Sequence, residues 1–109
     1  MNNEPIVLIV KQAVERNEDG ADVFVDRETE VYADVQSVKR AEFYMANRSG
    51  IDLALTAEVN LVDYEEAFWR ENGKKHIPSF VRFDGELFKI ERAYGKNKHK
   101  IELMLSRVL

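Results

Sequence analysis

Apolar and polar residues alternate with a period of two along three stretches of this chain. In residues 30–37, Val31, Ala33 and Val35 share one side, and Asp34 and Gln36 fall on the other. In residues 53–62, Leu53, Leu55, Ala57, Val59 and Leu61 stand opposite Thr56, Glu58 and Asn60. In residues 99–105, Ile101, Leu103 and Leu105 alternate with Lys100, Glu102 and Met104. Successive side chains of a strand point to opposite faces, so each stretch reads as a half-buried strand. Residues 6–10, Ile-Val-Leu-Ile-Val, are apolar throughout and suit a strand covered on both sides. Residues 22–25 form a weaker strand pattern between Gly20 and Asp26-Arg27-Glu28.

Local turn chemistry adds a hairpin. Asp84-Gly85 joins Phe80-Val81-Arg82-Phe83 to Glu86-Leu87-Phe88-Lys89-Ile90. A two-residue type I′ turn needs positive φ at both central positions, which Asp-Gly tolerates. The register predicted from this turn sets Val81 opposite Phe88 and Ser79 opposite Ile90, with Val81, Phe83, Phe88 and Ile90 on the core face. One helix is expected near residues 38–48, with Ser37 as its cap and Gly50 just past its end. A second, short helix is expected over residues 64–71. The predicted fold is mainly β, a small six- to seven-stranded barrel or sandwich with one inserted helix.

The 109 residues fit one domain, 1–109, and neither a linker nor an internal repeat divides them. With no cysteine there is neither a disulfide framework nor a thiol nucleophile. The longest apolar run, residues 6–10, is too short to span a bilayer as a helix. Met1-Asn2-Asn3-Glu4-Pro5 lacks a basic region, so a soluble intracellular protein is expected. The net charge of −4 argues against general coating of nucleic acid. That charge is unevenly spread. Residues 1–36 hold three basic and nine acidic side chains, and residues 74–109 hold nine basic and four acidic ones. Two such regions attract each other within a fold or across subunits.

No group of residues carries an enzyme signature. Nucleophile elbow, glycine-rich dinucleotide turn and paired catalytic acids are all missing from the sequence. His76 and His99 have no ligand spacing around them, so no metal or cofactor is expected. Asp22, Asp26, Glu28, Glu30 and Asp34 lack the spacing of a calcium loop and read as charged strand edges that discourage unwanted pairing. Lys96, Lys98 and Lys100 form a basic loop. It reads first as a solvated hairpin loop and otherwise as a contact to DNA or an acidic partner. Phe68, Trp69 and Arg70 sit among charges and have two open readings, a satellite of the core or an interface anchor. Lys39, Arg40, Phe43, Tyr44 and Arg48, on the expected helix, complete the candidate partner interface.

Two stretches resemble the phage head–tail joining proteins, which include head-closure and head-completion proteins. The first runs Glu30-Val31-Tyr32-Ala33-Asp34-Val35-Gln36-Ser37-Val38-Lys39-Arg40-Ala41-Glu42-Phe43-Tyr44-Met45-Ala46, followed by Asn47, Gly50 and Ile51. It is similar to the family's Ala-x-Val strand end, Ser cap and helix with Glu-Phe-Tyr. The second runs Val81-Arg82-Phe83-Asp84-Gly85-Glu86-Leu87-Phe88-Lys89-Ile90-Glu91-Arg92-Ala93-Tyr94 and closes with Ile101-Glu102-Leu103. It is similar to the family's hairpin, Arg-Thr-Tyr element and last strand, with Ala93 in place of Thr. Asp63-Tyr64 matches the end of a family strand, and residues 65–78 are longer than the family's turn.

The resemblance implies a small non-catalytic barrel that assembles in the virion as a homo-oligomeric ring under the portal or adaptor, with a free protomer that can be monomeric until it meets that template. Such a ring closes the DNA-filled head, lets packaged DNA pass and docks the tail. It implies a place at the virion head–tail interface, reached from the host cytoplasm. Some members carry a channel-plugging loop. Ring assembly needs two different patches that fit each other, which the acidic and basic thirds supply. Two rival readings are a nucleic-acid-binding barrel using Phe80, Phe88 and Tyr94, and a tail-side terminator-like subunit.

Overall fold

The computed structural model describes residues 3–38, 52–71 and 73–108. Among them, eight strands and one helix follow in order: β1 (Asn3–Arg16), β2 (Asp22–Ser37), β3 (Leu53–Asn60), α1 (Leu61–Glu66), β4 (Trp69–Glu71), β5 (Lys74–His76), β6 (Phe80–Phe83), β7 (Glu86–Gly95) and β8 (Lys100–Arg107). Six of the strands close an antiparallel barrel in the order β1-β2-β3-β8-β7-β6, and β4 and β5 form a separate two-stranded hairpin. Mainly β and a barrel is thus the architecture. The helix expected near residues 38–48 lies outside the described residues, together with Lys39, Arg40, Phe43, Tyr44 and Arg48.

The alternating stretches supply the barrel interior. Val31 and Ala33 of β2, Ala57 and Val59 of β3, and Ile101, Leu103 and Leu105 of β8 are buried in one cluster with Ile6 and Leu8 of β1. Neighbouring Ile9 and Val10 are buried too, as expected of a strand covered on both sides. Val81 stands opposite Phe88, and both are buried in the same cluster, with Phe83 and Ile90 half-buried against it. Asp84 and Gly85 both have positive φ (52° and 75°), as the type I′ turn requires. Met104 is the exception to the alternation: its register points it out of the barrel, yet it is 5% exposed.

The helix expected over residues 64–71 is replaced by two elements. α1 starts earlier, where the side chain of Asn60 accepts a bond from the Val62 backbone N–H at 2.9 Å. It stops at Ala67, and Trp69–Glu71 is already strand. The whole connection from β3 to β6 crosses the barrel end at which β3 finishes and β6 begins. Tyr64 and Ala67 reach from it into the core cluster, which closes that end. Burial raises the pKa of the Tyr64 hydroxyl.

β1 and β2 run well past this end. β1 pairs with β6 only over Val7, Leu8 and Ile9, and β2 pairs with β3 only from Ala33 to Ser37. Beyond those residues the two strands pair only with each other, up to Arg16 and Asp22. The result is a two-stranded ribbon projecting from the barrel, and the chain measures 52 Å along its longest axis against 30 and 26 Å.

Candidate interaction surfaces

Three features gather at the end crossed by the connection: the β4–β5 hairpin, the β7–β8 turn and the ribbon. In the hairpin, Trp69 pairs across from His76, Arg70 from Lys75 and Glu71 from Lys74. Trp69 is half-buried, with the Arg27 guanidinium 3.9 Å from its ring centre. That stacking fixes the hairpin against the base of the ribbon. The indole Nε1 of Trp69 is buried and has no hydrogen-bond partner among the described residues. Phe68 packs edge-on to Tyr64 with ring centres 5.0 Å apart, and Lys75 Nζ lies 5.1 Å from the Phe68 ring. Phe68 and Trp69 therefore pack inward, while Arg70 and Lys75 are exposed. The signal for this hairpin was Asn72-Gly73, an Asn-Gly pair between two short β-compatible runs.

The β7–β8 turn is built around Asn97, whose Oδ1 accepts bonds from the His99 and Lys100 backbone N–H groups at 2.8 and 3.0 Å. Its three lysines differ. Lys96 donates to Glu58 Oε2 at 2.6 Å and lies 4.0 Å from Glu102. The barrel register sets Asp34 beside Glu58 and Glu58 beside Glu102, so three carboxylates lie in one row. Like charges directly opposite are destabilising, and Lys96 offsets them. Its hydrogen bond and charge attraction to Glu58 raise the Lys96 pKa. Lys100 is half-buried in β8, and Lys98 alone of the three is exposed without such a partner among the described residues.

The ribbon is acidic. Glu18, Asp19 and Asp22 cluster near its turn, and Asp26, Glu28 and Glu30 follow on β2. Asn17 Oδ1 holds the turn by accepting from the Asp19 and Ala21 backbone N–H groups at 3.0 and 2.9 Å, with Gly20 at φ 81°. Lys11 pairs with Asp26 at 3.2 Å and Arg82 with Glu28 at 2.6 Å. The Arg82 bond holds the Glu28 carboxyl below its usual range and raises the Arg82 pKa. Asp22, Asp26, Glu28 and Glu30 line a strand edge, because among the described residues β2 has no partner on its outer side before Ala33, whereas Asp34 lies within the sheet between Asn3 and Glu58. The same ribbon exposes Phe24, at 66%, and Tyr32 is 59% exposed lower on the strand. Sequence reasoning assigned no contact to Phe24.

His76 is half-buried and His99 exposed. Among the described residues, no three His, Asp or Glu side chains converge to hold a metal ion. Nor is any described helix long and apolar enough to cross a membrane. No family model and no curated protein matches the chain.

Proposed function

We propose that this chain is a structural connector protein of a tailed phage or prophage, forming a ring under the portal or adaptor that closes the filled head and docks the tail. The observation that carries the reading is the pairing of a closed barrel with two patches of opposite charge at one end, the projecting acidic ribbon and the exposed basic face of the β4–β5 hairpin. A rigid body with unlike patches suits repeated head-to-tail contacts. The sequence resemblance over residues 30–105 points the same way. The nucleic-acid reading draws less support, because Phe88 is buried in the core and Lys96 is held by Glu58, which removes a stacking ring and a phosphate contact.

The test is reconstitution. DNA-filled heads lacking this protein, from the phage that encodes it, should retain their DNA and accept tails once the purified chain is added. Heads that leak and stay tailless with the added chain would falsify the proposal. The doubly substituted Arg70→Glu, Lys75→Glu chain, changed only at exposed sites, should fold and close heads poorly, which assigns the β4–β5 hairpin to the docking surface.

A further inference from the structure

Above its base, where Arg27 stacks on Trp69 and Glu28 pairs with Arg82, the ribbon meets no other strand among the described residues. Among those residues neither outer edge is paired beyond Ile9 or before Ala33, and Phe24 stands 66% exposed. Unpaired ribbons with exposed aromatic residues are liabilities unless something covers them. The charge pattern says what does. The tip carries Glu18 and Asp19, both exposed. On the β4–β5 hairpin, Arg70 lies directly opposite Lys75, a like-charge cross-strand pair, and among the described residues neither has a carboxylate partner. Such a pair is unfavourable alone and favourable against an acidic surface.

These two patches cannot meet within one chain. Arg27, at the base of the ribbon, is stacked on Trp69 of the hairpin. From Arg27 to the paired end at Asp22 and the turn beyond, the ribbon rises about 20 Å at ~3.3 Å per residue. The tip is thus held away from the hairpin beside its own base. We propose that the ribbon tip of one copy docks on the Arg70/Lys75 face of a second copy, with Phe24 covered in the contact. This names the subunit contact of the ring proposed above and rests on that reading for the identity of the partner.

A charge-swap pair tests it. One variant carries Glu18→Lys and Asp19→Lys; the other carries Arg70→Glu and Lys75→Glu. All four sites are exposed, and the turn is held through Asn17 and the backbone, so both variants should melt like the unmodified chain. Sedimentation velocity on the unmodified chain should show concentration-dependent self-association, weakened about tenfold or more between 0.05 and 0.5 M salt as screening shortens. Each variant alone should sediment as a monomer, and an equimolar mixture should associate again, because tip and hairpin are then opposite in charge in both pairings. Phe24→Ser should weaken association without changing its salt dependence. An unmodified chain that stays monomeric at high concentration and low salt overturns the proposal. So does association that ignores salt, which needs no variant to observe, and so does a mixture that stays monomeric. Restored association with unclosed heads would instead strike the connector reading and leave this contact standing.

Discussion

The two halves of β1 and β2 share one ladder of backbone pairing but not one environment. In the barrel, Ile6, Leu8, Val31 and Ala33 are almost wholly buried, and β1 at Leu8 and β2 at Ala33 have partners on their outer sides. In the ribbon, the same strands meet only each other, and Val23 and Phe24 face solvent. Strand pairing is therefore not what distinguishes a stable region from a weak one here. Burial is, at about 25 cal/mol per Å² of apolar surface removed from water. The ribbon is held by a turn and by exposed ion pairs, which contribute little, and a lone two-stranded hairpin is marginal in water. The ribbon should open locally while the barrel stays folded.

The largest expected effect asks whether burial sets the difference. Phe88→Ala should lower unfolding stability by about 3–5 kcal/mol in urea titration, whereas Phe24→Ala should cost less than ~0.5 kcal/mol. Phe83→Ala, at a half-buried site, should fall between them. Similar losses at Phe88 and Phe24 would break the distinction.

Two glycines sharpen it. Gly85 in the barrel hairpin and Gly20 in the ribbon turn have φ of 75° and 81°, and a Cβ at either would meet nothing within 4 Å. Alanine thus adds the same backbone penalty at both, about 1–2 kcal/mol. Gly85→Ala should lower the global unfolding midpoint accordingly. Gly20→Ala should leave that midpoint unchanged and speed hydrogen exchange of ribbon amides only. An equal midpoint drop would make ribbon and barrel a single cooperative unit.

The smallest effects are electrostatic and show in pH dependence. Arg82 keeps the folded Glu28 carboxyl below its usual range, so the pair stabilises above the unfolded carboxylate pKa. Thermal melts of Arg82→Met should lie slightly below the unmodified chain at pH 7, and the gap should close as pH falls through the folded Glu28 pKa. Lys96→Met leaves Asp34, Glu58 and Glu102 in a row without their cation. Glu58 raises the folded Lys96 pKa, so the deficit should be present at neutral pH and shrink as pH rises through that raised pKa. A gap at Arg82 that widens in acid, or one at Lys96 that persists above the folded Lys96 pKa, contradicts the assigned pairing.

Much of the barrel is legible in the sequence because its signals are local. Asp84-Gly85 sets the β6–β7 register through two backbone angles, and Ala57, Val59, Leu103 and Leu105 announce their faces by alternation. The ribbon is harder to read. Residues 22–30 of β2 set Asp22, Phe24, Asp26, Glu28 and Glu30 on one face and Val23, Val25, Arg27 and Thr29 on the other, a mixed pattern on both sides with no barrel core to select between them. β4 and β5 are three residues each, too short for any period, so only Asn72-Gly73 marks them. That β6 lies beside β1 depends on pairing across the whole chain, which no local pattern encodes. The Arg70 and Lys75 surface was half legible: Arg70 stood out beside Trp69, but its cross-strand neighbour depends on a hairpin turn.

The seam where β6 meets β1 is only three residue pairs long, and its partners, such as Val7 and Arg82, lie farther apart along the chain than those of any other strand pair in the barrel. Pairings that close long loops form late, after the hairpins β1–β2, β6–β7 and β7–β8 have formed. The seam should accordingly be the weld that completes the barrel in folding and the first barrel pairing to part in unfolding. A barrel unzipped there bares Val7, Leu8 and Ile9 as an apolar edge, open to any other chain in the same state. Arg82 reaches from β6 over β1 to Glu28 on β2, a strap laid across the weld. Its worth is measured less in equilibrium stability than in the time the protein spends closed, and hence in how rarely two opened copies find each other.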